Sequence, residues 1–373
     1  MFGGFNFFKL LLYPIALLYG TVVGIRNFLY ENKILKSKSY NIPIISIGNL
    51  AVGGTGKTPH VEYIISLLKN DFRIAMLSRG YKRKSKGFRL AGENDNATTI
   101  GDEPYQIQQK FGDDICVAVD ANRQRGIEHL LEEETLNAII LDDAFQHRKV
   151  HAGLNILLTE FHRPFTKDHF LPFGRLREHP HEHRRAHIII VTKCPKDMKP
   201  IEKRLIDKEI KIYPFQYLFF TSLDYGDLTN VFDPTDKIKL SDISQKHAIG
   251  VSGIANNKHF RSKIQSETLS LKHMSYMDHH NYSARDVQKI QANFNQIRDK
   301  NKIIITTEKD AVKLKNIDNW DDSVKKYVYY LPIKVVFLGN EKQEDEFKQQ
   351  ITKYVKTNRR YSKLYKGQNL SST

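Results

Sequence analysis

The sequence predicts an α/β protein: a mostly parallel sheet with helices on both faces, a smaller second α/β unit, and an apolar helix at the N-terminus. Three observations carry this. Short apolar runs without polar alternation recur between helical patterns, as strands buried on both faces of a parallel sheet do. A glycine-rich stretch, Gly48 to Thr58, separates the first such run from the first core helix. From about Lys211 the chain turns aromatic, and after a polar linker a second strand–turn–helix series begins.

The N-terminal segment, residues 1–38, opens with Phe2, Phe5, Phe7 and Phe8 and runs through Leu10-Leu11-Leu12 and Ile15-Ala16-Leu17-Leu18 to Val22, Val23 and Ile25. A spanning helix needs about 20 apolar residues, and Lys9, Pro14, Gly20 and Thr21 interrupt this run. No small-residue cleavage site of a signal peptide follows. With Arg26, Lys33, Lys36 and Lys38 beside it, the segment reads as a helix lying in a membrane interface, its cations near anionic headgroups. Packing on the protein itself and a true span are the alternatives.

A core unit is expected over 39–210. Ile42–Ile47 reads as its opening strand, and Val61, Tyr63-Ile64-Ile65 and Leu67-Leu68 carry a helical pattern with Pro59 in the first turn. Further strands are expected at Ile74–Leu77, Ile115–Val119, Ala138–Leu141, Leu154–Leu158 and His187–Val191, with helices at Pro104–Phe111 and Asn122–Leu131. The second unit is expected over 211–345, with strands near Ala248–Val251, Ile303–Thr306 and Val335–Phe337. A basic tail, 346–373, is expected to be loosely ordered from Lys353.

The formal net charge of +16 draws polyanions: nucleic acid, an anionic membrane face or a phosphorylated substrate. Cys116 and Cys194 lie far apart and in no CxxC pattern, which excludes a disulfide framework or a cysteine zinc site and fits a reducing compartment.

The strongest chemical signal is Ala51-Val52-Gly53-Gly54-Thr55-Gly56-Lys57-Thr58 between a strand and a helix. Gly53, Gly54, Thr55 and Gly56 let backbone N–H groups curl around phosphate oxygens, and the helix N-terminus adds partial positive charge. Lys57 reaches the β- and γ-phosphates of a nucleotide in such a loop, and the Thr58 hydroxyl takes a position on Mg²⁺. The strict pattern begins with Gly where this chain has Ala51. Asp142 and Asp143 end an apolar strand at the edge where open α/β sheets bind ligands, and one of them is expected to hold the metal.

The run Ser46-Ile47-Gly48-Asn49-Leu50-Ala51 through Pro59 resembles the glycine-rich loop of the tetraacyldisaccharide 4′-kinases, in which the first glycine is also absent. The resemblance continues at Ser78–Arg83, Gly101-Asp102-Glu103-Pro104, Leu141–His147, Leu171–Glu178, Asp278-His279 and Thr307–Val312, in family order. Ala144 stands where the family usually has Gly, and Arg175 where Pro is common. The resemblance implies transfer of the ATP γ-phosphoryl group to the 4′-hydroxyl of a lipid-linked disaccharide, a tetraacyldisaccharide 1-phosphate, in lipid A biosynthesis. It implies Asp102 as the proton acceptor with His279 as partner, and Lys57, Thr58, Asp142, Asp143, Arg177 and Glu178 as the nucleotide and magnesium set. Glu103 joins them as an active-site residue.

On the residues alone, Asp102-Glu103-Pro104 also reads as a helix start, Arg177-Glu178 as an exposed ion pair, and His179, His181, His183 and His187 as a solvated basic loop. An ATPase or GTPase acting on a protein or nucleic-acid partner is the alternative function. It leaves the apolar N-terminus idle, and Thr192-Lys193-Cys194-Pro195 lacks the aspartate of a guanine-reading motif. The kinase reading expects ATP and Mg²⁺, an anionic membrane surface, no nucleic acid and no obligate protein partner. Its expected location is the cytoplasmic face of a bacterial inner membrane, peripheral or monotopic.

Overall fold

Runs such as Ala138–Asp142 and Ile188–Thr192 are buried at every residue, so each needs cover on both sheet faces. The structure, a computed structural model, describes residues 11–339 and 341–368. Its strands in chain order are β1 (Ile44–Asn49), β2 (Ile74–Ser78), β3 (Arg89–Leu90), β4 (Cys116–Val119), β5 (Ala138–Asp142), β6 (Leu154–Glu160), β7 (Ile188–Thr192) and β8 (Tyr217–Tyr225). There follow β9 (Leu228–Asn230), β10 (Lys237–Ile238), β11 (His247–Ser252), β12 (Ser270–Ser275), β13 (Lys302–Thr307), β14 (Val328–Leu331) and β15 (Ile333–Phe337). The helices that matter below are α1 (Tyr13–Glu31), α2 (Lys57–Leu68), α3 (Asp102–Phe111), α4 (Glu308–Lys315) and α5 (Glu341–Gln368).

A nine-stranded sheet runs β15-β8-β7-β6-β1-β5-β2-β4-β3, parallel from β8 to β4 with antiparallel β15 and β3 at its edges. A six-stranded sheet runs β10-β9-β14-β13-β11-β12, parallel from β14 to β12. In the larger sheet β1 lies between β5 and β6, with Ile47 level with Asp142 on one side and Ile156 on the other. Later strands fill first one side of β1 and then the other. The C-terminal ends beside β1 therefore form the crevice in which open α/β sheets hold ligands.

Two expectations about organisation are corrected. The segment from Lys211 does not simply open a second unit, because β8 continues the first sheet, with Tyr217 paired to Ile188. Its aromatics alternate: Phe219 joins Phe337 and Phe347 on one face, and Phe220 joins Leu338 and Val191 on the other. The chain leaves for the smaller sheet at Leu228 and returns through β15, where Phe337 pairs with Thr221. Local texture carries no trace of a return to a partner so far back in the chain.

The C-terminal stretch expected to be loosely ordered is helical as far as Gln368. Phe347, Ile351 and Val355, spaced four apart on one helix face, are buried against a core that includes Ile45 and Val61. The Tyr354 hydroxyl lies 3.1 Å from both the amide and the carbonyl oxygen of Ile44.

At the other end, Phe2, Phe5, Phe7 and Phe8 lie outside the described residues. Helix α1 presses one face on the protein: Gly20 sits so close to the Phe170 ring that a Cβ would come within 2.6 Å of it. Tyr19 donates to the Arg177 carbonyl at 3.0 Å, and Arg26 to the Gln146 carbonyl at 2.9 Å. The opposite face leaves Ile15, Leu18, Val22, Ile25 and Phe28 exposed. Among the described residues no helix is long and apolar enough to cross a membrane. Cys116 and Cys194 are both free thiols.

If α5 is part of the core, Phe347→Ala should cost about 3–5 kcal/mol, the range for a buried aromatic truncated in place. Urea unfolding of the full chain measures this, and a loss below about 1 kcal/mol would contradict the packing described.

Candidate active site

The loop after β1 is shaped by Gly53 and Gly56, whose φ angles of +125° and +82° strain any residue with a Cβ. A neighbouring segment pins it from outside. Val52 donates to the Arg175 carbonyl at 2.8 Å, and Arg177 donates through its backbone to the Leu50 carbonyl at 2.7 Å. From beneath, the Thr192 hydroxyl donates to the Thr55 carbonyl at 2.9 Å. Burial pushes the His60 imidazole down to about 4, so the ring is neutral. A neutral ring 2.7 Å from the Gly56 carbonyl carries its proton on Nδ1, which leaves Nε2 to accept from the Thr221 hydroxyl at 3.0 Å.

Asn49, the last residue of β1, is fully buried and ties the loop to the charges around it. Its Nδ2 donates to Thr55 Oγ1 at 2.9 Å, and its Oδ1 accepts from Lys57 Nζ at 3.4 Å and from Arg177. Its carbonyl accepts from Gln146 Nε2 at 2.8 Å and Arg177 Nη2 at 3.1 Å. The Arg177 guanidinium also takes both oxygens of Asp143, at 2.8 and 3.1 Å, while Lys57 Nζ lies 3.5 Å from the same carboxylate.

The two aspartates are thus pulled apart electrostatically. Partial desolvation works against ionised Asp143, but Lys57 and Arg177 hold its carboxyl well below the usual range. Burial and the adjacent Asp143 charge push Asp142 up to about 6. The Ser78 hydroxyl, 3.3 Å from Asp142 Oδ2, is the one side-chain donor found on that carboxylate among the described residues. Such a carboxylate favours a cation, and Asp142, Asp143 and the half-buried Thr58 hydroxyl at the start of α2 are hard oxygen donors of the kind that hold Mg²⁺.

Across the cleft the smaller sheet contributes a second group. Asp102, at the start of α3, meets His279 from the loop after β12, with Asp102 Oδ2 2.8 Å from His279 Nδ1. Lys313 of α4 lies 2.5 Å from the same oxygen. Desolvation opposes ionised Asp102, yet His279 and Lys313 together hold its carboxyl below the ordinary value. Lys309, one helical turn before Lys313, is 3.3 Å from His279 Nε2 and 3.6 Å from both Glu103 and Asp278. The exposed Tyr81 ring stands edge-on to His279, centroids 5.4 Å apart.

Of the residues singled out from sequence, Lys57 and Arg177 both reach Asp143, which follows Asp142 in the chain. Asp102 and His279 form a hydrogen-bonded pair, and Glu103 stands beside it through Lys309. Glu178 does not join the nucleotide loop. It is fully buried, with Asn27 of α1 at 3.3 Å, Arg26 at 3.9 Å and Arg185 as an ion-pair partner. The bend at Arg177 and Glu178 sends the arginine to Asp143 and Asn49 and the glutamate toward α1. Asn49, Lys309 and Lys313 carried no expected role. The four-residue spacing of the two lysines was readable as one helix face, but nothing in it named a partner.

With this geometry in hand, similarity to known proteins is extensive. A family model described as tetraacyldisaccharide-1-P 4′-kinase matches residues 8–356. The chain is 48% identical over 359 residues to a tetraacyldisaccharide 4′-kinase of Bacteroides fragilis, with 95% of each chain covered. It is 44% identical over 354 residues to that of Flavobacterium johnsoniae, covering 95% of this chain and 99% of the relative. The crystal structure of LpxK from Aquifex aeolicus in complex with ATP matches with a TM-score of 0.72 at 31% identity, covering 92% of this chain and 99% of that one.

Because Asn49 joins Thr55, Lys57 and Arg177, Asn49→Ala should weaken nucleotide binding by about tenfold to a hundredfold, the loss of about 1–3 kcal/mol when buried partners go unsatisfied. Calorimetric titration with ATP and Mg²⁺ measures it; wild-type affinity would deny Asn49 that function.

Proposed function

This chain belongs to the tetraacyldisaccharide 4′-kinase family, the ATP-dependent kinases of lipid A biosynthesis, and we propose that its reaction runs between the Lys57 loop and the Asp102–His279 pair. The observation that carries the assignment is that pair, Asp102 from the larger sheet's unit and His279 from the smaller sheet's unit joined at 2.8 Å.

In this reading Lys57, the loop amides and the α2 N-terminus bind the β- and γ-phosphates of ATP. Asp142, Asp143 and Thr58 hold Mg²⁺, which when bound neutralises charge on the phosphate oxygens. The 4′-hydroxyl oxygen of the tetraacyldisaccharide 1-phosphate forms a bond to the γ-phosphorus, the bond from that phosphorus to the β,γ-bridging oxygen breaks, and ADP leaves with the electron pair. The hydroxyl proton goes to Asp102. Supporting this choice, both neighbours of Asp102 approach Oδ2, and among the described residues no side-chain donor reaches Oδ1. His279 holds the carboxylate in place. Phosphoryl transfer asks mainly for alignment and charge neutralisation, so an ionised, oriented acceptor suffices even though it is a weak base.

The acceptor's acyl chains keep it in a bilayer, so the cleft must approach the headgroups. The open apolar face of α1, with the exposed Lys33 and Lys36 just beyond its end, suits an anionic interface. The enzyme is then peripheral or monotopic at the cytoplasmic face of the inner membrane, and the reaction calls for neither nucleic acid nor a protein partner.

With γ-labelled ATP and the acylated disaccharide 1-phosphate in detergent, wild type should transfer label, and Asp102→Ala should lower kcat by about 10²–10⁴-fold, the usual worth of a positioned acid–base group. No transfer by folded, ATP-binding wild type would sink the reading. For the membrane face, the double variant Leu18→Glu/Val22→Glu should reduce recovery on anionic vesicles by about tenfold or more, given the apolar area withdrawn. Nucleotide affinity should stay as in wild type; unchanged recovery would remove α1 from the membrane contact.

A further inference from the structure

Lys313 is a lysine with its side chain only 7% exposed. A buried ammonium is costly without a partner, and the only carboxylate within ion-pair distance of it among the described residues is Asp102, at 2.5 Å. Its remaining hydrogen bond goes to the His280 carbonyl at 3.2 Å, which ties it to the loop that carries His279. Lys309 is placed differently: its charge is shared between Glu103 and Asp278, each 3.6 Å away. The two lysines, one turn apart on α4, therefore do different things.

We propose that Lys313 is a positioning residue for the proton acceptor of the kinase reaction, acting only through Asp102. The ammonium and the His279 imidazole together occupy Oδ2, which turns Oδ1 toward the incoming hydroxyl. Asp102 belongs to the larger sheet's unit, whereas Lys313 and His279 belong to the smaller sheet's unit. The acceptor is complete only when the two meet. Contacts that hold the meeting in register lie alongside, with Asn316 after α4 donating to the Tyr105 hydroxyl of α3 at 2.7 Å.

The groups that face Asp102 set the sign of the electrostatic effect. His279 and Lys313 touch it, Lys309 stands behind His279, and Glu103 and Asp278 balance Lys309. Removing the Lys313 charge takes away a cation that favours the ionised carboxylate, so the pKa of Asp102 rises. Turnover requires ionised Asp102. The acid limb of kcat must then move to higher pH when Lys313 is neutralised, whereas general loosening of α4 would lower kcat without moving that limb.

This inference rests on the proposed kinase reaction, and the test separates the two. Full-length wild type, Lys313→Gln, Asp102→Asn and the double variant Asp102→Asn/Lys313→Gln are assayed with saturating ATP and acylated disaccharide 1-phosphate across pH. Lys313→Gln should lose about tenfold to a hundredfold in kcat, the scale of a misplaced catalytic group, with its acid limb shifted upward and ATP affinity unchanged. The double variant should turn over no more slowly than Asp102→Asn alone, because Lys313 has nothing left to position. It also removes both buried charges at once, so it remains informative if the single variant fails to fold. A Lys313→Gln enzyme with wild-type kcat and an unmoved limb overturns the proposal, as does a double variant that loses a further factor beyond Asp102→Asn. Absence of transfer by wild type overturns the kinase reading instead.

Discussion

Strand β1 is hydrogen-bonded on both sides by parallel neighbours, and this pairing puts Asn49, Asp142 and the loop before Lys57 at one edge of one sheet. Parallel strands buried on both faces cannot shift register without moving apolar side chains out of their packing. The chemistry at their ends inherits that rigidity. Asn49 sits at the point of strain relief, where the strand gives way to a loop with two left-handed glycines. The amide shares its bonds among Thr55, Lys57 and Arg177. This loop has its own amides turned away from regular pairing. It therefore needs outside anchors, and the backbone bonds to Arg175 and Arg177 provide them.

Charged groups bridge the second sheet's unit to the first. Lys110 of α3 stands between Glu62 of α2 at 2.6 Å and Glu308 of α4 at 2.7 Å, and the Gln106 amide donates to Glu62 at 2.7 Å. Burial and the nearby Glu308 push Glu62 up to about 7, so Lys110 is what makes the pair of glutamates tolerable together. Next to this cluster lies the contact of Asp102 with His279 and Lys313. Ionic and hydrogen-bonded junctions suit units that must meet with defined geometry around a ligand, because misalignment leaves a buried charge without its partner.

Helix α1 links the outer surface to the cleft more directly than an appended anchor would. Tyr19 bonds the Arg177 carbonyl, Arg26 bonds the Gln146 carbonyl, and Asn27 reaches Glu178. Glu178 is one residue from the arginine that clamps Asp143, so whatever α1 rests upon bears on the turn that shapes the nucleotide loop. The exposed Ile15, Leu18, Val22 and Ile25 face away from all of this.

By itself the sequence determined whatever depends on neighbours within a turn or a strand: the buried runs, the glycine-rich loop with Lys57 and Thr58, and the aspartates ending β5. Resemblance joined Asp102 to His279, which spacing alone does not. Tertiary structure decided the rest. It returned β15 to β8, gave Phe347, Ile351 and Val355 a core to enter, turned Glu178 away from the nucleotide loop, and brought Lys313 to Asp102. The division has a physical cause. Backbone preference and apolar periodicity are local and survive in a one-dimensional string, whereas a charge acquires its function from the partner that folding brings within about 3 Å of it.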